Sequence, residues 1–456
     1  MAASAFALAS VLLVAAAAQA WPPERTAGDL PTPQQLAWQD LELGMFCHFG
    51  PNTFMDAEWG DGKASPDVFN PSQFDARQWV AAAKDSGMKY LVVTAKHHDG
   101  FCLWPTRQTD YCVRSSKWRD GKGDVIREVA DACHAAGIAL GIYLSPWDRH
   151  ERSYADNAAY DRHYMAQMTE LLSNYGTVTE FWADGAGGEG HVYDWAAYYR
   201  HLKSLQPECL WAIAGVADIR WVGNEDGVAP ESLWNVVDVG GQPYWWPAEC
   251  DARIRRNWFW HPGDADTLKS VGALLEMYHV SVGHGAGLLL NVAPDDRGLL
   301  PDDDVKRLRE WGDALRAIYA RDVLAGKRVR GSSESKGHPA RHALDGKLHT
   351  CWLAGPDDRE ASIEVTLDRP VVLDRFVMQE AIGLGQRIRE YAVEVRNGGG
   401  WTRACAGTSI GHKKIDILEK TVTVHGIRLT LKGTAPPALR SFSAYLAPEA
   451  YRHSGD

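Results

Sequence analysis

Beyond its first twenty residues the sequence has no apolar run long enough to cross a bilayer, which takes roughly 20 apolar residues with suitable flanks. It also lacks any cluster of Lys or Arg. The cations are dispersed and the net charge is −11, which excludes a nucleic-acid binder, because neutralising phosphates takes grouped cations. There is no G-x-S-x-G nucleophile elbow, no glycine-rich dinucleotide fingerprint after the first predicted strand, and no internal repeat. Asn70-Pro71-Ser72 comes nearest to an N-glycosylation acceptor, and its proline blocks it. Cysteine is sparse: positions 47, 102, 112, 133, 209, 250, 351 and 405 are too widely spaced for a small disulfide scaffold, and no pair has zinc-ligand spacing. Free buried thiols are the plain reading, with disulfide pairing left open.

What is present begins with "MAASAFALASVLLVAAAAQA", an apolar stretch ending in Ala18-Gln19-Ala20. It predicts a signal peptide over 1–20, cleaved before Trp21, and hence a secreted, extracellular, membrane-free protein. The chain is also rich in tryptophan, with 19 in 456 residues. Flat apolar rings suit cores, and they equally suit the faces of sugars.

Short apolar strands alternate with amphipathic helices from 44 to about 320. The strands read "GMFCHFG" (44–50), "KYLVVTA" (89–95), "IALGIYLS" (138–145), "VTEFWAD" (178–184), "CLWAIAG" (209–215) and "GLLLNVAP" (287–294). Helices are predicted over 74–86, 124–136, 191–205, 267–281 and 302–320, the second opened by Asp124 and closed by Gly137. This order implies a parallel sheet covered on both faces, most simply a (β/α)8 TIM-like barrel over 21–325, with "WNVVDVG" (234–240) and its neighbours supplying the remaining strands. An open doubly wound sheet is the alternative. After the breaker-rich "GSSESKGHPARH" (331–342), period-two alternation predicts an all-β sandwich over 326–456.

In such a barrel chemistry sits where strands end. Those ends deliver His48, then His97, His98 and Asp99, then Tyr143, Trp147 and Asp148, then Trp182 and Asp184. Zinc held by His48, His97, His98 and Asp184 is one possibility, but adjacent histidines on an extended segment point to opposite sides. No metal or cofactor is therefore expected. Carboxylate-pair chemistry remains, in which one acid attacks or stabilises an oxocarbenium carbon and a second protonates the leaving oxygen. Asp184, rigid on a strand end and followed by "GAGGEG", suits the first role.

"HFGPNTFMDAEWG", "TAKHHDGFCLWPT", "GIYLSPWD" and "FWADGA" together resemble the α-L-fucosidases of glycoside hydrolase family 29, over about 35–320. The resemblance implies a TIM-like barrel followed by a sandwich, a retaining mechanism, and Asp184 as nucleophile. "IRWVGNEDGVAPESLWN" (219–235) resembles the branch selective for α-1,3/1,4-linked fucose, which implies Glu225 as acid/base. Glu249 in "PAECD" stays open as the alternative.

The same motifs imply that His48, Glu58, His97, His98 and Tyr143 bond sugar hydroxyls, with Trp59 beside Glu58 and Trp182 shaping the pocket. Trp258, in "NWFWH", suits the C6 methyl of fucose, while Trp147 and Asp148 are expected to face the leaving sugar. In "SVGHGAGLLLN", His284 and Gly287 depart from the branch's pattern, which bears on outer subsite contacts. "HALDGKLHTCW" (342–352) is similar to the opening of galactose-binding-like, discoidin-type sandwiches, here expected to pack on the barrel rather than bind sugar. The implied substrate is an oligosaccharide or glycoprotein glycan of Lewis type, reached in the apoplast if the source is a plant. An α-1,2-fucosidase and a non-catalytic, lectin-like relative are the alternatives.

Overall fold

A computed structural model describes residues 28–452. The signal-peptide expectation for 1–20 lies outside the described residues. Eight parallel strands form one sheet: β1 (Leu43–Cys47), β2 (Tyr90–Lys96), β3 (Ala139–Leu144), β4 (Glu180–Ala183), β5 (Leu210–Ile213), β6 (Arg220–Trp221), β9 (Ala248–Arg253) and β10 (Gly287–Asn291). Their order is β5-β4-β3-β2-β1-β10-β9-β6. A parallel bridge from Ala212 to Ile219 brings the two ends of that order together into a barrel.

The seam is unusual because no helix crosses between β5 and β6. Asp218 stitches it instead, accepting from the Trp211 N–H (3.0 Å) and the Tyr199 hydroxyl (2.9 Å) and pairing with Lys203 (3.0 Å). At the same place Ile213 holds φ at 80°, a left-handed conformation that costs a β-branched residue energy.

Side chains alternate across each strand. Phe46, Tyr90, Val92, Tyr143, Trp182 and Leu289 fill the barrel interior, while Met45, Leu91, Val93, Ile142 and Leu288 pack outward against the helices. Gly44 makes room for this aromatic filling, since a Cβ there would lie 2.4 Å from the Tyr90 ring. The helices expected over 124–136 and 302–320 form as Val125–Ala136, with Asp124 and Gly137 as caps, and Asp302–Ile318.

Two features differ from the expectation. The stretch around 234–240 is no barrel strand: β7 (Val236–Val239) pairs antiparallel with β8 (Gln242–Trp245) in a separate hairpin. The missing barrel strands are β6 and β9. β9 reads Ala-Glu-Cys-Asp-Ala-Arg, its charged residues spaced two apart while Cys250 and Ala252 join the outer core, so no apolar run announces it. An 18-residue helix, Asn157–Asn174, also went unforeseen, because Tyr160, Tyr164 and Gln167 occupy positions on its buried face where aliphatics would be expected.

Seven antiparallel strands make the second domain: β11 (Arg328–Gly331), β12 (Trp352–Leu353), β13 (Glu360–Glu380), β14 (Ile388–Arg396), β15 (Trp401–Gly407), β16 (Lys414–Gly433) and β17 (Ala438–Tyr445). They enclose a core of their own. The domain docks near the entry of β1. There Arg440 grips Asp40 with two bonds of 2.7 and 3.0 Å, and Glu42 takes Lys413 together with His412 (3.1 Å). Gln386 bonds Asn235 through both backbone and side chain.

Burial alone would raise the Glu42 carboxyl, but the charges and hydrogen bonds of Lys413 and His412 hold it at about 2. Because the folded value is depressed, this latch contributes fully above the ordinary carboxyl range near 4.5 and is lost as pH falls towards 2. Glu42→Gln should therefore cost on the order of 2 kcal/mol at neutral pH, with the deficit against the parent smaller at pH 3 and disappearing only below about pH 2. Thermal unfolding of both proteins at pH 7 and pH 3 measures this.

Candidate active site

Residues at the C-terminal ends of β1 to β4, β9 and β10 converge on one cleft. Asp184 leaves β4 half-buried, with its carboxylate fixed from two sides. The Tyr143 hydroxyl donates to Oδ2 (2.9 Å) and the Ala186 N–H donates to Oδ1 (2.8 Å). The following glycines make the approach possible: at Gly187 φ is +71°, and a Cβ there would sit 1.9 Å from the Trp147 ring.

Three histidines line the same wall. His48 and His97 have ring centroids 5.6 Å apart, and His97 and His98 are 4.1 Å apart. Burial lowers all three, His48 to about 3, so the rings are neutral at ordinary pH. A neutral imidazole offers one donor and one acceptor, the combination a sugar hydroxyl requires.

The tautomers follow from the neighbours. His48 Nδ1 donates to Asn291 Oδ1 (2.8 Å), whose amide in turn donates to the Trp258 carbonyl (2.8 Å), leaving His48 Nε2 as an acceptor. Ser145 spends its proton on the Trp147 carbonyl (2.7 Å), so His98 Nδ1 donates to Ser145 Oγ (2.7 Å). His98 Nε2 then faces Asp184 Oδ2 at 3.7 Å with no proton between them, a gap suited to a donating hydroxyl. His97 Nδ1 is buried without a partner, a deficit of about 1–3 kcal/mol that a bound hydroxyl would relieve.

Aromatic surfaces close the cleft. Trp258 packs 4.9 Å from His48, Phe259 lies 5.0 Å from His97, and Trp182 stacks on Tyr143 at 5.4 Å. Trp59, 53% exposed, stands edge-on to His98 and Trp147 at the rim. Glu225 lies on an exposed loop after β6, and the Trp258 indole N–H donates to its Oε2 (3.2 Å). Among the described residues, no three His, Cys, Asp or Glu side chains come together in a cluster able to hold a metal ion.

Several expected ligands sit differently. Asp148 does not face the cleft: it is 3% exposed and forms a buried ion pair with Lys96 (2.8 Å), whose ammonium also donates to Tyr160 and Gln167. An uncompensated Lys96 beneath the histidines would be costly, which explains an acid at that position. Glu58 is half-buried, and both its oxygens hold the 258–261 loop, accepting from the Trp258 N–H (2.8 Å), the Phe259 N–H (3.1 Å) and His261 (2.8 Å). Its first role is to place Trp258.

His284 and Gly287 lie at the entry end of β10, away from the cleft. His284 bonds the Ala229 carbonyl (2.9 Å), and Gly287 leaves room for the Trp38 ring. Asn291, Ser145 and Arg253 are the site residues missed from the sequence. The strand-end rule reaches Asn291 and Ser145, whereas Arg253 sits on the unrecognised β9.

Glu249 is fully buried inside the barrel and accepts from the Tyr90 hydroxyl (2.6 Å) and the Trp182 indole (2.9 Å). Close by, one oxygen of Glu180 takes the Trp38 indole N–H (2.9 Å), while its other oxygen is buried without a hydrogen-bond partner. Burial pushes both carboxyls up, and the charge of Glu249 pushes Glu180 further. The alternative acid/base candidate is thus walled off from any leaving group.

Residues 62–318 match a family model described as "Alpha-L-fucosidase", and 328–442 match one described as "F5/8 type C domain". The chain is 38% identical to "Alpha-L-fucosidase 1" of Arabidopsis thaliana, over 91% of this chain and 87% of that protein. Its structure is similar to the crystal structure of SpGH29, with a TM-score of 0.88 and 36% identity over 94% of this chain and 100% of the other. It is also similar to a Ruminococcus gnavus GH29 fucosidase in complex with fucose, with a TM-score of 0.86 and 31% identity over 96% of this chain and 99% of that one.

Glu249→Gln should lower the melting temperature and reduce kcat/KM for activated and unactivated fucosides by factors within about threefold of one another, since a buried support acts on geometry and not on leaving-group protonation. A loss confined to poor leaving groups would return the acid role to Glu249.

Proposed function

The chain belongs to the α-L-fucosidase family, glycoside hydrolase family 29, and on that basis we propose that it is a secreted, retaining enzyme. It removes α-1,3/1,4-linked L-fucose from GlcNAc units of glycans by double displacement. The observation that carries this reading is the fixed carboxylate of Asp184 under a wall of neutral histidines. A nucleophile held by Tyr143 and Ala186 at a rigid strand end has one direction of attack, towards the anomeric carbon of a sugar bonded by His48, His97 and His98.

In the first step Asp184 displaces the aglycone while Glu225 gives its proton to the leaving oxygen. In the second, Glu225 takes a proton from water, which releases fucose with retained configuration. Trp258, partly exposed, offers the apolar surface that suits the fucose methyl group. The sandwich serves as a packing domain, supported by the ion pairs of Asp40 and Glu42 at its interface.

Asp184→Ala should abolish turnover with the fold intact, and azide should restore part of it with inverted product. Glu225→Ala should lose much more activity on natural glycans than on activated aryl fucosides, because only a poor leaving oxygen needs its proton in the transition state. Normal rates in the first variant, or equal losses across substrates in the second, would reassign these roles.

The linkage preference draws on residues 219–235. Lewis a or Lewis x trisaccharide should be cleaved at least tenfold faster in kcat/KM than 2′-fucosyllactose, about 1.4 kcal/mol of transition-state discrimination. A preference for the α-1,2 linkage would reject the linkage assignment and leave Asp184 in place.

A further inference from the structure

Glu225 is more loosely mounted than Asp184. Its side chain is 46% exposed, and its loop lies outside the strands that fix Asp184. The loop itself is well anchored. Asn224 caps it by donating to the Val228 carbonyl (2.8 Å), Asp226 bridges to Ala252 on β9, Gly227 packs against Met277, and the Ala229 N–H donates to Val280 (2.9 Å). The backbone is therefore placed, but a glutamate side chain with three rotatable bonds is not fixed by its backbone alone.

Two groups reach the carboxylate, and both reach the same oxygen. The Trp258 indole N–H donates to Oε2 at 3.2 Å, and an Arg253 guanidinium nitrogen lies 3.6 Å from Oε2. The Arg253 guanidinium also sits over the Trp258 ring, 5.2 Å from its centroid. Arg253 is the last residue of β9, in register with Asn291 on β10, so its backbone is held within the barrel sheet. Lys269 further ties down its carbonyl. Among the described residues, Glu225 is the carboxylate that pairs with Arg253.

We infer that Arg253 is a positioning residue for the acid/base: with Trp258 it pins Oε2 of Glu225 and leaves Oε1 to exchange the proton with the leaving oxygen and then with water. This rests on the assignment of Glu225 as acid/base. No bond forms to Arg253, and it donates no proton to substrate. It converts a mobile carboxylate into one held at a fixed place while two chemically different partners come and go.

The test is the dependence of kcat/KM on leaving-group basicity across a series of aryl α-L-fucosides, from activated to unactivated. A fold defect lowers every member equally, whereas a misplaced acid steepens the slope. Arg253→Met should steepen it, with roughly a tenfold loss for the most basic leaving group and under about threefold for the least. Arg253→Lys, which keeps the cation and loses the fork, should fall between. Glu225→Gln should give the steepest slope, and adding Arg253→Met to it should steepen the slope no further.

A parallel loss for all leaving groups in Arg253→Met, or further steepening in the double variant, would overturn the inference while leaving Glu225 as the acid. A shallow slope in Glu225→Gln would instead overturn the acid assignment, and the inference with it.

Discussion

The site depends on a pair of buried carboxyls that never touch substrate. Glu249 and Glu180 meet inside the barrel and take up the polar atoms of Tyr90, Trp182 and Trp38. An aromatic filling of this kind brings N–H and O–H groups into a space without water, and each would be costly if left unpaired. Burial raises both carboxyls, and the charge of Glu249 raises Glu180 further, which favours neutral forms over two repelling charges. The consequence travels upward. Trp182, fixed through its indole, supports Tyr143 by stacking, and Tyr143 directs Asp184. The direction of the Asp184 carboxylate is thus set by a chain of contacts beginning at the barrel's interior.

A second buried device controls charge. Lys96 runs beneath the histidines, and an unbalanced ammonium there would act on the whole cleft. Asp148 neutralises it at 2.8 Å, and Tyr160 and Gln167 satisfy its remaining protons. Burial keeps His48, His97 and His98 neutral, and the Lys96 cation pushes His98 in the same direction. Each can then present an acceptor nitrogen to a hydroxyl, which a charged imidazolium cannot do.

The sequence made the first half of the barrel easier to read than the second, for a physical reason. β1 to β4 are mostly apolar on both faces, with Glu180 on β4 the ionisable exception inside the barrel, so each appears as a run, and the polar residue near the end of each run is visible: His48, His97, Tyr143, Asp184. β9 alternates charge with small apolar residues, because its inward face carries Glu249, Asp251 and Arg253. Hydrophobic patterning is blind to a strand whose core-facing residues are ionisable. The same blindness made Glu249 look like a catalytic candidate and left Arg253 unnoticed. Asp148 misled in the opposite direction: its place at a strand end fitted the rule for chemistry, and only the packing of Lys96 from the neighbouring strand shows why an acid stands there.

Asp184 and Glu225 are mounted in different ways, and the proposed double displacement would give a reason. Asp184 does one thing, at one carbon, from one side, so a short side chain on a strand end is the best mount. In the proposed acid/base role Glu225 would serve a departing oligosaccharide first and an entering water next, and both would pass it. A group at the exposed edge of the cleft permits that traffic, but exposure frees its side chain. Glu225 keeps its place on a loop, with one of its oxygens accepting from Trp258 and lying 3.6 Å from Arg253, and those two residues are themselves held by Glu58 and by β9. The half-exposed acid thereby gains a strand-end reference without being buried.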